Sequence, residues 1–522
     1  MHHVHRGCEL PVASDPPPPG EPERLRAGAG AAVELAADHM DTSGEVMSSF
    51  AMETRSIHRN LSPLDHRYWQ SNRELFDSLS TILSEEASVR YCARVEAALC
   101  AAHLRREGGL TAELQSALSR AAENIDPEEV AREEEKTQHN IRALVNVFQQ
   151  MLPEDARPFV HLGATSADIL DTASSLRVRD AVEQVILPLL RDVTATLCEL
   201  SDWYADTVQI GRTHGQYAVP VTFGFALAEY AQRLSKCVRT ISTLKRDLRG
   251  KLAGAVGAYN AMSMVTDDPE ALEREVLSEL GLLPGDQSNQ LVEPEYMLRV
   301  LLELNTAFGI LANLADDMRN LQRSELSEVR ESFDASQVGS STMPHKRNPW
   351  NWEHIKSLWK TYSPRVITFY MDQISEHQRD LTNSASSRFV AEYLAGVVAA
   401  FNRAHRILGR IEPDAEAMNG NINRAGDLSL AEPAYILLAL GGLSDGHERV
   451  RQATLEAQSR KAPLSEVLRG DDRIWQVLDA ECRRRTGIDA ATFFSDVRRY
   501  RGLAASKARS SAEAARERIA GL

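Results

Sequence analysis

Residues Val221–Gly250 read VTFGFALAEYAQRLSKCVRTISTLKRDLRG. Apolar side chains fall at Leu227, Ala231, Leu234, Val238, Ile241, Leu244 and Leu248. Steps of three and four place them on one stripe of a helix, and Gly250 is the expected stop. A second stripe runs through Leu301, Leu304, Phe308, Leu311, Leu314, Met318 and Leu321. A third helical segment spans residues 174–206, with Pro188 as an expected kink. Helices of this kind run ~40 Å at about 1.5 Å per residue. One small domain cannot bury them, so they point to a helical bundle, one that subunits can share. Strand-like alternation is rare, and no repeat of solenoid period is evident. The expected fold class is all-α.

The 522 residues are enough for two to four domains, and an apolar fraction of 43% allows a sizeable core. A net charge of −15 argues against nucleic acid as the main partner. It leaves room for a small anionic substrate in a local cationic pocket. Cys8, Cys92, Cys100, Cys198, Cys237 and Cys482 have no CxxC spacing, so reduced thiols in a cytoplasmic protein are expected. No uninterrupted apolar run approaches the ~20 residues of a membrane helix, and no membrane partner is expected. Residues 1–52, with SDPPPPGEPERLRAGAGAA, lack core formers. They are expected to be a disordered tail, or to precede a natural start at Met40, Met47 or Met52.

The unusual chemistry lies in the turns. GSSTMPHKRNP (339–349) combines backbone freedom at Gly339, paired serines, Lys346 and Asn348, with Pro344 and Pro349 limiting its motion. Such a loop can aim N–H groups and a cation at an anion; it also suits a surface turn with a solvated Lys-Arg pair. His214 in GRTHGQ (211–216) and His139 in KTQHN (136–140) suit proton transfer near neutrality, or plain structural roles. GATSAD (163–168) reads as a helix start capped by Thr165 or Ser166, with Asp168 in its first turn. Such a start also binds carboxylates. In HQRDLTNSASSR (377–388), Arg379, Ser384 and Arg388 form a plausible phosphate site, or two exposed arginines paired with Glu376 and Asp380. There is no HExxH, no clustered Cys/His set, no Walker loop and no dinucleotide signature. No metal or cofactor is expected.

Together these loops resemble the fumarase/aspartase superfamily of homotetrameric lyases, with GSSTMPHKRNP matching its signature almost residue for residue. Within it they most resemble the adenylosuccinate lyase family, supported by SPLDHRY (62–68), GAVGAYNA (254–261) and NQLVEPEY (289–296). The segments cover about residues 60–440. The resemblance implies a three-domain helical subunit: an N-terminal domain at 53–160, a central long-helix domain at 161–400 carrying the signature loop at 335–350, and a C-terminal domain at 401–522. It implies a tetrameric bundle with active sites shared between subunits. It also implies anti-elimination of fumarate from a succinyl substrate. Ser340 would be the general base and His214 the general acid. His139 would be a second active-site histidine, with Glu353 as its acidic companion. Lys346 and Asn348 would hold the carboxylate where charge builds. Gln138, Asn140, Thr165, Ser166, Gln290, Ser341 and Met343 match substrate-binding positions. Arg67, Tyr68, Arg379, Ser384 and Arg388 match a phosphate-holding set.

Several positions depart from that pattern. His66 stands for the usual Gly, Asn140 for a common Asp, and Tyr217 for a small residue. NPWNWEH places Trp350, Trp352 and His354 beside the active loop. The retained phosphate set favours adenylosuccinate and the related succinyl-carboxamide ribotide, in purine synthesis. The altered rim favours a smaller succinate derivative such as nitrosuccinate. A catalytically silent tetramer is the remaining reading, and the intact Ser340, His214, His139, Lys346 and Glu353 count against it.

Overall fold

The computed structural model describes residues 56–332 and 342–521. The expected tail at 1–52, with Cys8, and the two signature serines, Ser340 and Ser341, lie outside them.

The stripe that opened the sequence forms a helix over Phe223–Leu244. Thr222 caps it, its Oγ1 accepting from the Phe225 N–H at 3.2 Å, which satisfies one of the free donors of the first turn. Leu227, Ala231, Leu234, Val238 and Ile241 are buried. The helix ends before Gly250, which sits in a two-residue strand instead of a helix stop. The second stripe forms Glu295–Leu321, with Leu301, Leu304, Phe308, Leu311, Leu314 and Met318 all buried. By length and composition this helix is apolar enough to cross a membrane, yet 56% of its most apolar window is buried inside the protein.

The third segment starts earlier than its pattern indicated. A helix over Ser166–Ala181 passes through a π-helical turn at Val182–Ile186 into a helix over Leu187–Trp203. Leu187 N–H reaches back to the Val182 carbonyl. Pro188 has no N–H for the ladder, and its ring crowds the carbonyl four residues back. The wider turn accommodates both, so a local bulge replaces the expected break.

The Leu187–Trp203, Phe223–Leu244, Glu295–Leu321 and Val390–Leu408 helices pack together. The last helix, Ala504–Ala520, returns to this bundle and lies against the first two. Arg518 donates to the Ser235 hydroxyl at 2.6 Å, and the Gln232 amide donates to the Ser511 carbonyl at 2.6 Å. Residues Ile422–Val497 build a second, separate core around Leu438, Leu464 and Leu478. Residue 400, expected as a domain boundary, falls inside the Val390–Leu408 helix.

Three two-stranded ribbons complete the described residues. The longest is antiparallel, β1 Val208–Thr213 with β2 Gln216–Thr222. Gly442-Leu-Ser-Asp-Gly446 has the spacing of a hydrolase nucleophile elbow. It joins two helices here, with no strand leading into it, so it is a helix-to-helix turn. Cys92, Cys100, Cys198, Cys237 and Cys482 are free and buried. Burial pushes the Cys92, Cys100 and Cys237 thiols up to about 12, which suits unreactive core positions.

Candidate active site

GRTHGQ forms the hairpin turn between β1 and β2. Thr213 pairs with Gln216, leaving a two-residue loop of His214 and Gly215 at φ 56° and 75°. Positive φ at both central residues is the type I′ turn that matches strand twist. The hairpin's root is fixed. The Arg212 guanidinium forks onto the Glu328 carboxylate at 2.7 and 3.2 Å, and Glu328 is fully buried. The Gln209 amide donates to the same carboxylate at 2.6 Å, and the Asn421 amide at 2.5 Å. His214 is thus held on a rigid stalk while its ring is exposed, with no side-chain partner among the described residues.

His139 and the GATSAD segment come together. Gln138, at φ 51°, ends the Pro127–Thr137 helix, and its amide turns back to the Glu135 carbonyl at 2.8 Å. His139 then caps the Asn140–Gln150 helix, its Nδ1 accepting from Arg142 N–H at 3.2 Å. In the neutral ring that places the proton on Nε2, and Nε2 lies 3.5 Å from Ser166 Oγ. Asn140 uses its own Oδ1 on the Ile141 N–H at 2.8 Å. Thr165 is the cap of the Ser166–Ala181 helix, and Ser166 its first residue.

Asp168 does more than balance the helix dipole. It is fully buried, accepts from Thr165 N–H at 2.8 Å and from Gly254 N–H at 3.2 Å, and pairs with the fully buried Lys251. Lys251 also donates to the Gly254 carbonyl at 3.0 Å. This pair ties GATSAD to GAVGAYNA. Sequence reading missed Lys251; its one signal was a lone cation in the apolar, glycine-rich run GKLAGAVG. It also missed His161, whose Nδ1 lies 2.7 Å from the buried Glu96 carboxylate. Burial works against the charged His161 ring, but the Glu96 carboxylate raises its pKa on balance.

Five residues past Ser166, Asp171 accepts from Val292 N–H at 2.8 Å. Burial pushes its carboxyl up to about 6, against the pull of that N–H, Lys251 and Arg379. The Gln290 N–H donates to the Gln378 carbonyl at 3.1 Å, so the NQLVEPEY and HQRDLTNSASSR segments are joined. A Cβ on Gly257, at φ 77°, would fall on the Ser288 carbonyl oxygen. Gly257→Ala is therefore expected to displace residues 288–290. It should cost about 1–3 kcal/mol in thermal unfolding and raise KM more than it lowers kcat; an unchanged KM would show that Gln290 is not placed by this contact.

Arg379, Ser384 and Arg388 do not share one environment. The Arg379 guanidinium donates to the carbonyls of Asp372 and Gln373 at 2.9 and 3.3 Å, whereas Ser384 and Arg388 are exposed. Neither arginine forms an ion pair with Glu376 or Asp380; Asp380 accepts instead from the N–H groups of Glu376 and Thr382. Lys346, Met343 and Glu353 are exposed and Asn348 is half-buried. Glu353 makes no side-chain contact with His139, so that expected pairing is not formed within one chain. Tyr68 meets His354, their OH and Nε2 lying 3.0 Å apart, with the exposed Arg67 beside them.

Comparison with known proteins identifies the family and the fold. Residues 66–360, more than half of the chain, match the lyase family, and residues 375–486 match the adenylosuccinate lyase C-terminal family. The chain is 33% identical to the adenylosuccinate lyase of Pyrococcus abyssi over 80% of its own length and 91% of that protein. It is 30% identical to the adenylosuccinate lyase of Thermotoga maritima, covering 77% of this chain and 92% of that one. Among solved structures it resembles the 3-carboxy-cis,cis-muconate lactonizing enzyme of Pseudomonas putida, with TM-score 0.71, 25% identity, and coverage of 85% and 97%. A fumarate lyase from Mesorhizobium sp. BNC1 shares the fold at TM-score 0.71, 23% identity, and coverage of 84% and 97%. The chain therefore belongs to the lyase family of the fumarase/aspartase superfamily, in its adenylosuccinate lyase branch, and is a carbon–nitrogen lyase.

Proposed function

We propose that the protein eliminates fumarate from adenylosuccinate, and from the related succinyl-carboxamide ribotide, in purine synthesis in the cytoplasm. The observation that carries this reading is the apposition of His139 with the Ser166 hydroxyl at the start of a helix, beside segments that match the adenylosuccinate lyases. A helix N-terminus and an imidazole N–H together suit a substrate carboxylate.

In this reading Ser340 removes the proton beside a carboxylate. A neutral serine is a poor base, so neighbouring N–H groups and Lys346 must stabilise its alkoxide. The resulting species is dianionic and enolate-like. Fixed donors aimed at such charge contribute ~3–4 kcal/mol each, a role for Lys346, Asn348, Thr165, Ser166 and Gln290. His214 protonates the leaving nitrogen. Arg67, Tyr68, Arg379, Ser384 and Arg388 hold the phosphate.

The site is completed by other subunits of a homotetramer. His214 stands exposed on its hairpin, and Glu353 does not reach His139 within the chain. Ile367, Ile374 and Leu381 are 61%, 81% and 77% exposed, apolar surface that a neighbouring subunit would cover.

A smaller substrate such as nitrosuccinate is the competing reading, favoured by His354 on the rim. Steady-state assays of wild type and Arg67→Ala with both compounds separate them. Loss of a charged hydrogen bond of about 1.5–3 kcal/mol should raise KM for adenylosuccinate at least ~10-fold. Efficient turnover of nitrosuccinate alone, indifferent to Arg67, would replace the purine reading.

A further inference from the structure

His354 sits beside arginines that form no direct ion pair among the described residues. The Tyr68 segment is docked on the Val390–Leu408 helix through the Asn402 amide, which donates to Asn72 Oδ1 at 2.7 Å. The Asn72 amide in turn donates to the Tyr68 carbonyl at 2.7 Å. From the same helix Arg403 donates to Asn351 Oδ1 at 2.6 Å and lies 5.2 Å from the Trp350 ring centre. Arg406 donates only to the Ser71 carbonyl, at 3.3 Å. Among the described residues none of Arg67, Arg403 and Arg406 forms an ion pair. Among the described residues the carboxylate acting on Arg403 is Glu331, which also accepts from the Asn351 amide at 2.8 Å and the Trp352 N–H at 3.1 Å.

Arg403 is half-buried, whereas Arg67 and Arg406 are exposed, so an incoming anion can reach this cluster from solvent. The groups acting on His354 are Tyr68 by hydrogen bond, and Arg403 and Arg67 by charge. Burial first, then Arg403 and Arg67, hold its pKa below the usual imidazole range, so the ring is neutral in the empty site. The neutral Nε2 can accept from the Tyr68 O–H.

We propose that His354 is a specificity-determining residue: binding of a doubly charged anion beside Tyr68 and Arg67 draws a proton from solvent onto its ring. The anion is the substrate's phosphate, so the inference rests on the nucleotide reading above. An incoming dianion reverses the local field and favours the charged imidazolium. Once Nε2 carries a proton it donates to the phenol oxygen, and the Tyr68 O–H is free to donate to the anion. One proton thus supplies a charge and a hydrogen-bond donor, and a substrate without a dianionic group gains neither. The sign follows. Affinity for the dianion is flat below the free-site pKa. It falls by up to about tenfold per pH unit between the free and bound values, and is flat again above both.

The test is calorimetry on the full-length protein near neutral pH, in two buffers of different ionisation enthalpy. Sulfate serves as a dianion that does not itself titrate, and AMP as the nucleotide. Wild type should take up a fraction of a proton per site on binding sulfate, and His354→Gln should bind more weakly with no uptake. A merely structural His354 would leave the proton count unchanged. Absence of sulfate binding, absence of uptake in wild type, or equal uptake in the variant overturns the proposal. If the variant does not fold, wild-type sulfate affinity decides: it must fall between pH 6 and 8, and a flat profile overturns the coupling. Sulfate uptake without any AMP binding sinks the nucleotide reading and leaves the proton coupling standing. AMP binding without His354-dependent uptake does the reverse.

Discussion

His214→Asn is expected to lower kcat for fumarate release by ~10²- to 10⁴-fold, the range for losing a general acid, while thermal stability stays near wild type. The two outcomes separate because of the backbone. His214 occupies the first position of a type I′ turn at φ 56°, and asparagine adopts that conformation readily before glycine. The stalk below, Arg212 and Gln209 on the buried Glu328, is untouched. Steady-state kinetics and a melting curve on one preparation check both. Retained kcat would remove His214 from the chemistry. A large fall in melting temperature would mean that the ring holds the fold and that kinetics alone cannot assign its role.

The second large effect concerns Lys251. Replacing it with methionine leaves the Asp168 carboxylate fully buried without its counter-charge. Removing one partner of such a pair costs about 3–5 kcal/mol, to be read from denaturant unfolding. Activity should fall as well, because Asp168 holds the Thr165 N–H and the Gly254 N–H together. Asp168→Asn in the Lys251→Met background should recover part of the stability, since a neutral amide is less costly to bury than a lone carboxylate. A stability change below about 1 kcal/mol for Lys251→Met alone would put this pair among ordinary surface interactions.

What the sequence made legible follows from the range of each interaction. Helical stripes are local, and Leu301 through Met318 lie buried as their spacing requires. The cap at Thr165 is local too. The turn at His214 was visible, but its hairpin was not. β1 is short and bulged between Ile210 and Arg212, so alternation breaks before it can be read. Pro188 announced an irregularity without saying that a π-helical turn would absorb it. Contacts distant in sequence left no pattern. Lys251 meets Asp168 across 83 positions, and His354 meets Tyr68 across 286. Arg403 was not singled out in the sequence. Its position over Trp350 and beside His354 depends on how two helices pack. The signature loop was the reverse case, distinctive as sequence, with Ser340 lying outside the described residues.

The most direct measurement is incubation of the purified protein with adenylosuccinate, followed by quantification of AMP and fumarate, for wild type and Ser340→Ala side by side. Equal amounts of AMP and fumarate from wild type, with release nearly abolished in the variant, are the expected result. A folded wild-type protein that leaves adenylosuccinate intact, or a Ser340→Ala variant that turns it over at an undiminished rate, would contradict the proposed substrate or the proposed base respectively.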